Sequence, residues 1–193
     1  RRYSEILYYY DKKIAHYQSI SDSQQSAKGV RYPKKPKRVL TLYRKKRNTV
    51  HDLLHKITKQ ITDYCVMNHI HTVIIGDLTG IRKENDLGSC TNQKFHQLPY
   101  KKLTELLTYK LALQGIRLIT ISEAYSSQTA PSAPLVSKQY AAPKNRKKRG
   151  LYVDGKTIYN ADAVGAYNIL RLYLQKENIT ITLPYDRLCS PQK

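Results

Sequence analysis

Apolar residues recur along this chain with two different periods, and the switch between them divides it. From about Ser4 to Ser19, Leu7, Tyr10, Ile14 and Tyr17 share one helical face. A polar stretch beginning Ser21-Asp22-Ser23-Gln24-Gln25-Ser26 reads as a loop. A long helix then starts near Pro36 and runs to about Asn68. Its apolar positions Leu40, Tyr43, Val50, Leu53, Leu54, Ile57, Ile61 and Tyr64 repeat at helical spacing. At 1.5 Å per residue it spans roughly 50 Å. Two helices joined by a polar loop read as an antiparallel pair.

Near residue 70 the period changes. Thr72-Val73-Ile74-Ile75 is a short β-branched run ending at Gly76-Asp77, as in a buried parallel strand. Residues 78–98 are polar and loop-like. Pro99 opens an amphipathic helix with Leu103, Leu106, Leu107 and Leu111, closed by Gly115. Ile116 to Ile121 is a second strand, ending at Ser122-Glu123. This alternation predicts an α/β fold, in which sites lie beyond the carboxyl ends of the strands. Residues 124–149, rich in Ser, Ala, Pro and Lys, read as a mobile insertion. Leu151 to Tyr159 reads as a hairpin turning at Asp154-Gly155. It leads into Asn160, which is placed to cap a helix bearing Asp162. Ala163, Gly165 and Ala166 are small enough to admit another backbone or a bulky substrate. The division expected is 1–70 helical pair, 71–176 α/β part, and 177–193 a short β-rich or disordered tail.

Composition narrows the function. The 193 residues carry a formal charge of +20, with a pI of about 9.9, which calls for a polyanionic partner, nucleic acid above all. No apolar run approaches a spanning helix and no signal peptide is visible, so a cytoplasmic, nucleoid-associated setting without membrane is expected. Cys65, Cys90 and Cys189 form neither a disulfide framework nor a CxxC knuckle. The basic run Arg31, Lys34, Lys35, Lys37, Arg38, Arg44, Lys45, Lys46 and Arg47 contains no acid, and Arg146, Lys147, Lys148 and Arg149 form a second cluster. Both suit phosphate contact. Seventeen tyrosines, with no Trp and one Phe, supply rings for stacking on bases or for packing the helical pair.

Three carboxylates carry the sharpest chemical expectation. Asp77 and Glu123 end strands and Asp162 opens a helix, so one sheet edge can gather all three. Hard cations such as Mg²⁺ take oxygen ligands, and paired ions can activate water and stabilise the leaving oxygen of a phosphodiester. His51 and His55 stand at i, i+4, but Asp52 follows His51 where a zincin needs Glu. No nucleophile elbow supports a serine hydrolase.

The run Arg149-Gly150-Leu151-Tyr152, followed by Tyr159-Asn160-Ala161-Asp162-Ala163-Val164-Gly165-Ala166-Tyr167-Asn168-Ile169-Leu170, resembles the last nuclease motif of the TnpB/OrfB proteins of insertion sequences, relatives of type V CRISPR effectors. Asp11 to Ser19 resembles the family's early helix. Asn92 to Tyr100, with Tyr109-Lys110 and Gly115-Ile116, resembles its central loop and helix.

The resemblance implies an RNase H-like (RuvC-like) domain with a long inserted helical pair. It implies DNA cleavage directed by a guide RNA, with Mg²⁺ (or Mn²⁺) as cofactor. Asp162 matches the third catalytic acid. The family's first catalytic Asp would lie upstream of Arg1, together with the first strands of the sheet, so the chain reads as a fragment that by itself does not cleave. Many members have Glu-Asp-Leu where this chain has Gly76-Asp77-Leu78. In some lineages an acid at the end of the next strand serves instead, and Glu123 fits that place, with Asp77 as the alternative ligand. The family's four-cysteine zinc knuckle corresponds to Thr129-Ala130-Pro131-Ser132-Ala133-Pro134, which lacks cysteine, so no zinc is expected. The competing expectation is a nuclease-inactive relative or remnant that binds nucleic acid without cutting it.

Overall fold

A computed structural model describes residues 2–77, 99–146 and 150–189. The chain packs into two compact units, residues 1–69 with 101–110, and residues 70–100 with 111–193.

The first unit is built on helices α1 (Arg2–Ala27) and α2 (Lys37–Met67). They run antiparallel, as cross-links from Tyr10 to Thr49, Asp11 to Lys46 and Tyr17 to Arg38 show. Helix α1 continues through the stretch expected to be a loop. Its polar residues there satisfy one another one turn apart, Gln18 donating to Asp22 at 2.7 Å and Gln25 to Ser21 at 2.8 Å. The real connection is residues 28–36. Gln25 holds it by bonding both the N–H and the carbonyl of Lys34.

The buried face of α2 also differs from the apolar pattern. Leu53 and Leu54 are buried as expected, but Leu40, Tyr43 and Tyr64 are exposed. Val39, Thr58, Thr62 and Cys65 are buried instead. The threonines go inside because each hydroxyl bonds a carbonyl one turn back, Thr58 to Leu54 and Thr62 to Thr58, both at 2.9 Å. The rotated face Leu54–Thr58–Thr62–Cys65 is thus polar in sequence and satisfied in structure. Residues of helix α3 (Tyr100–Ala112) complete the unit. Lys110 Nζ donates to the His55 carbonyl at 2.7 Å and to Thr58 Oγ1 at 2.9 Å.

In the second unit, strands β1 (Thr72–Gly76) and β2 (Arg117–Ile121) pair in parallel, with Gly76 opposite Ile121. Gly115, at φ +68°, ends α3 in the left-handed conformation and lets Ile116 N–H return to the Leu111 carbonyl. Strands β3 (Leu151–Asp154) and β4 (Thr157–Asn160) form the expected antiparallel hairpin, turning through Gly155 at φ +58°. Helix α4 (Ala161–Lys176) follows directly and packs on both strand pairs. Tyr152, Tyr159, Ala161 and Val164 make a small core under it.

Residues 124–146, within the stretch expected to be a mobile insertion, carry local structure. Two short 3₁₀ turns, Lys138–Tyr140 and Pro143–Asn145, and a bridge between Thr129 and Ala141 organise them. Asn168 on α4, fully buried, donates to the carbonyls of Ser126 and Thr129, both at 2.8 Å. Arg171 reaches the carbonyls of Ala130, Pro131 and Ala133 and the Asn168 Oδ1. Through residue 189 the tail holds one 3₁₀ turn and a bridge from Cys189 to Tyr159 rather than a strand.

Candidate active site and nucleic-acid surface

The parallel register brings the ends of β1 and β2 level, so Asp77 and Glu123 leave the sheet at the same edge. Asp77 N–H extends the ladder by donating to the Ile121 carbonyl at 2.7 Å. Two residues later the Glu123 side chain turns back over β1. A Cβ built on Gly76 would collide with the Glu123 carboxylate, and would stand 3.1 Å from its Cδ and 3.2 Å from its Cβ. The glycine therefore leaves the space that the glutamate fills. Burial, and then the nearby Asp77 charge, hold the Glu123 carboxyl above the ordinary glutamate value. Two carboxylates that resist sharing negative charge make a fitting pair of ligands for a hard divalent cation, which takes one or two carboxylates and keeps waters.

Asp162 stands apart from that pair in character. Asn160 caps α4 as expected, its Oδ1 accepting from the N–H groups of Asp162 at 2.9 Å and Ala163 at 3.1 Å. That fixes the Asp162 backbone, while its side chain is 88% exposed and 3.8 Å from Arg146. Among the described residues no group of three or more His, Cys, Asp or Glu side chains is arranged to hold a metal ion. Nothing lies within 4 Å of a Cβ added at Gly165, so that small residue does not serve close packing within the described residues.

The basic run divides between the 28–36 connection and the first turns of α2. Lys46 is engaged inside the pair by Asp11, at 2.6 Å, although no acid lies near it in sequence. Arg31, Lys34, Lys35, Lys37, Arg38, Arg44, Lys45 and Arg47 are exposed. Lys147, Lys148 and Arg149, like Cys90 and the Asn92–Leu98 stretch, lie outside the described residues. His51 and His55 face each other, Nε2 to Nε2 at 3.2 Å. Desolvation, then His51 and the lysines 110 and 102, push His55 below the usual histidine value, against Asp52. Sequence reasoning assigned no role to Asn168 or Arg171. Their signal was present: Ala161, Val164 and Asn168 share the buried helical face, and a polar residue there requires partners.

Two family models match the chain, one described as a probable transposase (OrfB_IS605) over residues 1–82 and one as the Cas12f1-like TNB domain over residues 100–169. Together the two models and the relative below support the TnpB/type V effector family for this chain. A curated relative, the CRISPR-associated endodeoxyribonuclease Cas12f2 of a Micrarchaeota archaeon, is 28% identical over 110 residues, 54% of this chain and 20% of the relative. Two solved structures have a similar fold. The Cas12f1–sgRNA–target DNA complex matches at 21% identity with a TM-score of 0.58, over 84% of this chain and 41% of that one. A CRISPR-Cas12f ternary complex matches at 21% with a TM-score of 0.60, over 84% and 32%. The chain thus spans a fifth of the curated type V relative and less than half of each structure. Among the described residues no helix is long and apolar enough to cross a membrane.

Proposed function

We propose that this chain is the RuvC-like, RNase H-fold nuclease part of an RNA-guided DNA endonuclease, with Glu123 in place of the acid that many family members carry at the position of Gly76. The observation that carries this reading is the Glu123 carboxylate in the space a side chain at Gly76 would take, beside Asp77 at the strand ends. The acid follows the neighbouring strand and reaches the space beside Gly76. In this reading Glu123 and Asp162 would hold Mg²⁺ or Mn²⁺, with Asp77 as the alternative ligand. Such ions, when bound, would supply Lewis-acid charge for water attack and for the leaving oxygen of a phosphodiester. Capping by Asn160 orients the start of α4, and the basic surface positions the polyanion. One of the two similar solved structures is a complex with sgRNA and target DNA, which supports DNA and a guide RNA as partners here.

One observation favours a second reading, a nuclease-inactive relative that only binds nucleic acid: the described residues contain no three-membered metal-holding cluster. Mg²⁺-dependent cleavage by the gene product that includes this chain, assayed with its guide RNA, separates the two. In the active reading Glu123→Ala and Asp162→Ala each abolish cleavage and leave binding nearly intact. Moving the acid back, Gly76→Glu with Glu123→Gly, restores part of the activity. Unchanged rates in Glu123→Ala would transfer the ligand role to Asp77, and a wild type that binds but never cuts would support the inactive relative.

A further inference from the structure

We propose that Asn168 is a positioning residue for the candidate site: from the buried face of α4 it fixes the turn that carries Glu123. The catalytic consequence rests on the nuclease reading above, whereas the positioning itself does not. Glu123 lies just beyond β2, between two held points. On one side is Ile121, opposite Gly76 in the parallel ladder, its carbonyl accepting from Asp77 N–H at 2.7 Å. On the other is buried Ser126, whose N–H donates back to the Glu123 carbonyl at 3.1 Å. The turn between them passes through Tyr125 at φ +62°. A residue with a Cβ keeps that left-handed conformation only where its surroundings impose it. The Tyr125 carbonyl accepts from the N–H groups of Gln128 at 3.0 Å and Thr129 at 3.1 Å, and from Thr129 Oγ1 at 3.0 Å. At the far end of the turn, the Gln128 carbonyl accepts from the Tyr152 hydroxyl at 3.0 Å and Ala142 N–H at 2.8 Å. At the end next to Glu123, the Ser126 carbonyl accepts from Asn168 Nδ2 at 2.8 Å, and the same amide reaches the Thr129 carbonyl at 2.8 Å.

Arg171 decides which way round the Asn168 amide sits. A guanidinium can only donate, and its Nη1 lies 3.0 Å from Asn168 Oδ1. Both Nδ2 hydrogens therefore point at the two carbonyls. Asn168 and Thr129 are fully buried and Ser126 nearly so, which keeps water from replacing a lost donor. Asp162 opens the same helix, about 9 Å along its axis from Asn168. One rigid element thus sets both the start that presents Asp162 and the turn that presents Glu123. Removing a group that orients a metal ligand without touching the metal changes metal affinity or activity by about 10–100-fold.

The test has a structural and a catalytic arm. In the 193-residue chain, NMR reads the NOE between the Gly76 α-protons and the Glu123 side chain, which touch while Glu123 lies over β1. An NOE between the paired residues Val73 and Leu118 reports that the strands remain together. Asn168→Asp keeps the shape and the Arg171 contact but puts an acceptor where both hydrogens were donated. Asn168→Ala removes the group without adding charge, and Ser126→Ala, which keeps the Ser126 carbonyl, is the control. Both Asn168 variants should lose the Gly76–Glu123 NOE and keep the strand NOE, and Ser126→Ala should keep both. In the gene product that includes this chain, loaded with its guide RNA, Asn168→Asp should need about tenfold more Mg²⁺ or Mn²⁺ for half-maximal cleavage, with target binding unchanged. A residue that only stabilised the fold would lower cleavage at every metal concentration and leave the half-maximal point alone. A Gly76–Glu123 NOE that survives in both Asn168 variants overturns the positioning. So does its loss together with the strand NOE in both, or its loss in Ser126→Ala. Loss of that NOE alone with an unmoved metal requirement overturns the catalytic consequence, and with it Glu123 as a ligand, while the positioning stands. A wild type that never cuts removes the catalytic consequence along with the nuclease reading, and the NOE then decides the positioning.

Discussion

At Glu123 the carboxylate is part-buried and faces Asp77, so ionising it is harder in the folded chain than in the unfolded one. The folded state therefore binds the proton more tightly. The stability this contributes is fully present below the ordinary glutamate value near 4.5 and is lost as pH rises through the elevated folded value. Thermal melts between pH 4 and 8 should show Glu123→Gln melting above wild type at pH 7, with the gap closing toward pH 4. Added Mg²⁺ should narrow the gap at pH 7 by favouring the ionised wild-type side chain. A gap that is the same at every pH would remove the coupling with ionisation.

Among the elements, α4 does two jobs, one from its first turn and one from its middle. Its first turn presents Asp162 under the Asn160 cap, and its buried face clamps residues 126–133 through Asn168 and Arg171. In the segment that corresponds to the family's knuckle, side-chain donors of α4 bind backbone carbonyls. Asn168→Ala leaves the Ser126 and Thr129 carbonyls without that donor and Arg171 without that acceptor. The expected cost is about 2–3 kcal/mol, measured by urea unfolding. A cost within 0.5 kcal/mol of zero, roughly the scale of a surface substitution, would show that the clamp does not hold the loop.

For the whole molecule, the charge of +20 predicts that the proposed nucleic-acid binding weakens steeply as salt rises. Exposure separates the cations that could carry this dependence. Arg44 and Arg47 are exposed on α2, while Lys46 is folded against Asp11. Arg44→Ala or Arg47→Ala should reduce the slope of log affinity against log salt by about one unit for each duplex phosphate that the arginine neutralises. Lys46→Ala should leave the slope unchanged and lower the stability of the helical pair instead. The opposite assignment, with Lys46 carrying the slope, would show that its ion pair with Asp11 opens when nucleic acid binds.

Local patterns were enough to place the elements. The β-branched run before Gly76, the Asp154-Gly155 turn, the Asn160 cap and the Pro36 start of α2 each act within a few residues, and each appears where its local chemistry requires. Contacts between distant residues were not legible in the same way. The polar stretch after Ser21 is helical, with its side chains paired with one another, and Asn168 and Arg171 bond carbonyls of the 124–146 segment from some forty residues later. The threonine face of α2 and the Lys46–Asp11 pair belong to the same class. The sequence alone placed Asp77 and Glu123 at strand ends. Only the parallel register and the missing Cβ at Gly76 decided that the Glu123 carboxylate turns over β1, because that depends on which strand lies beside which and on the space between them.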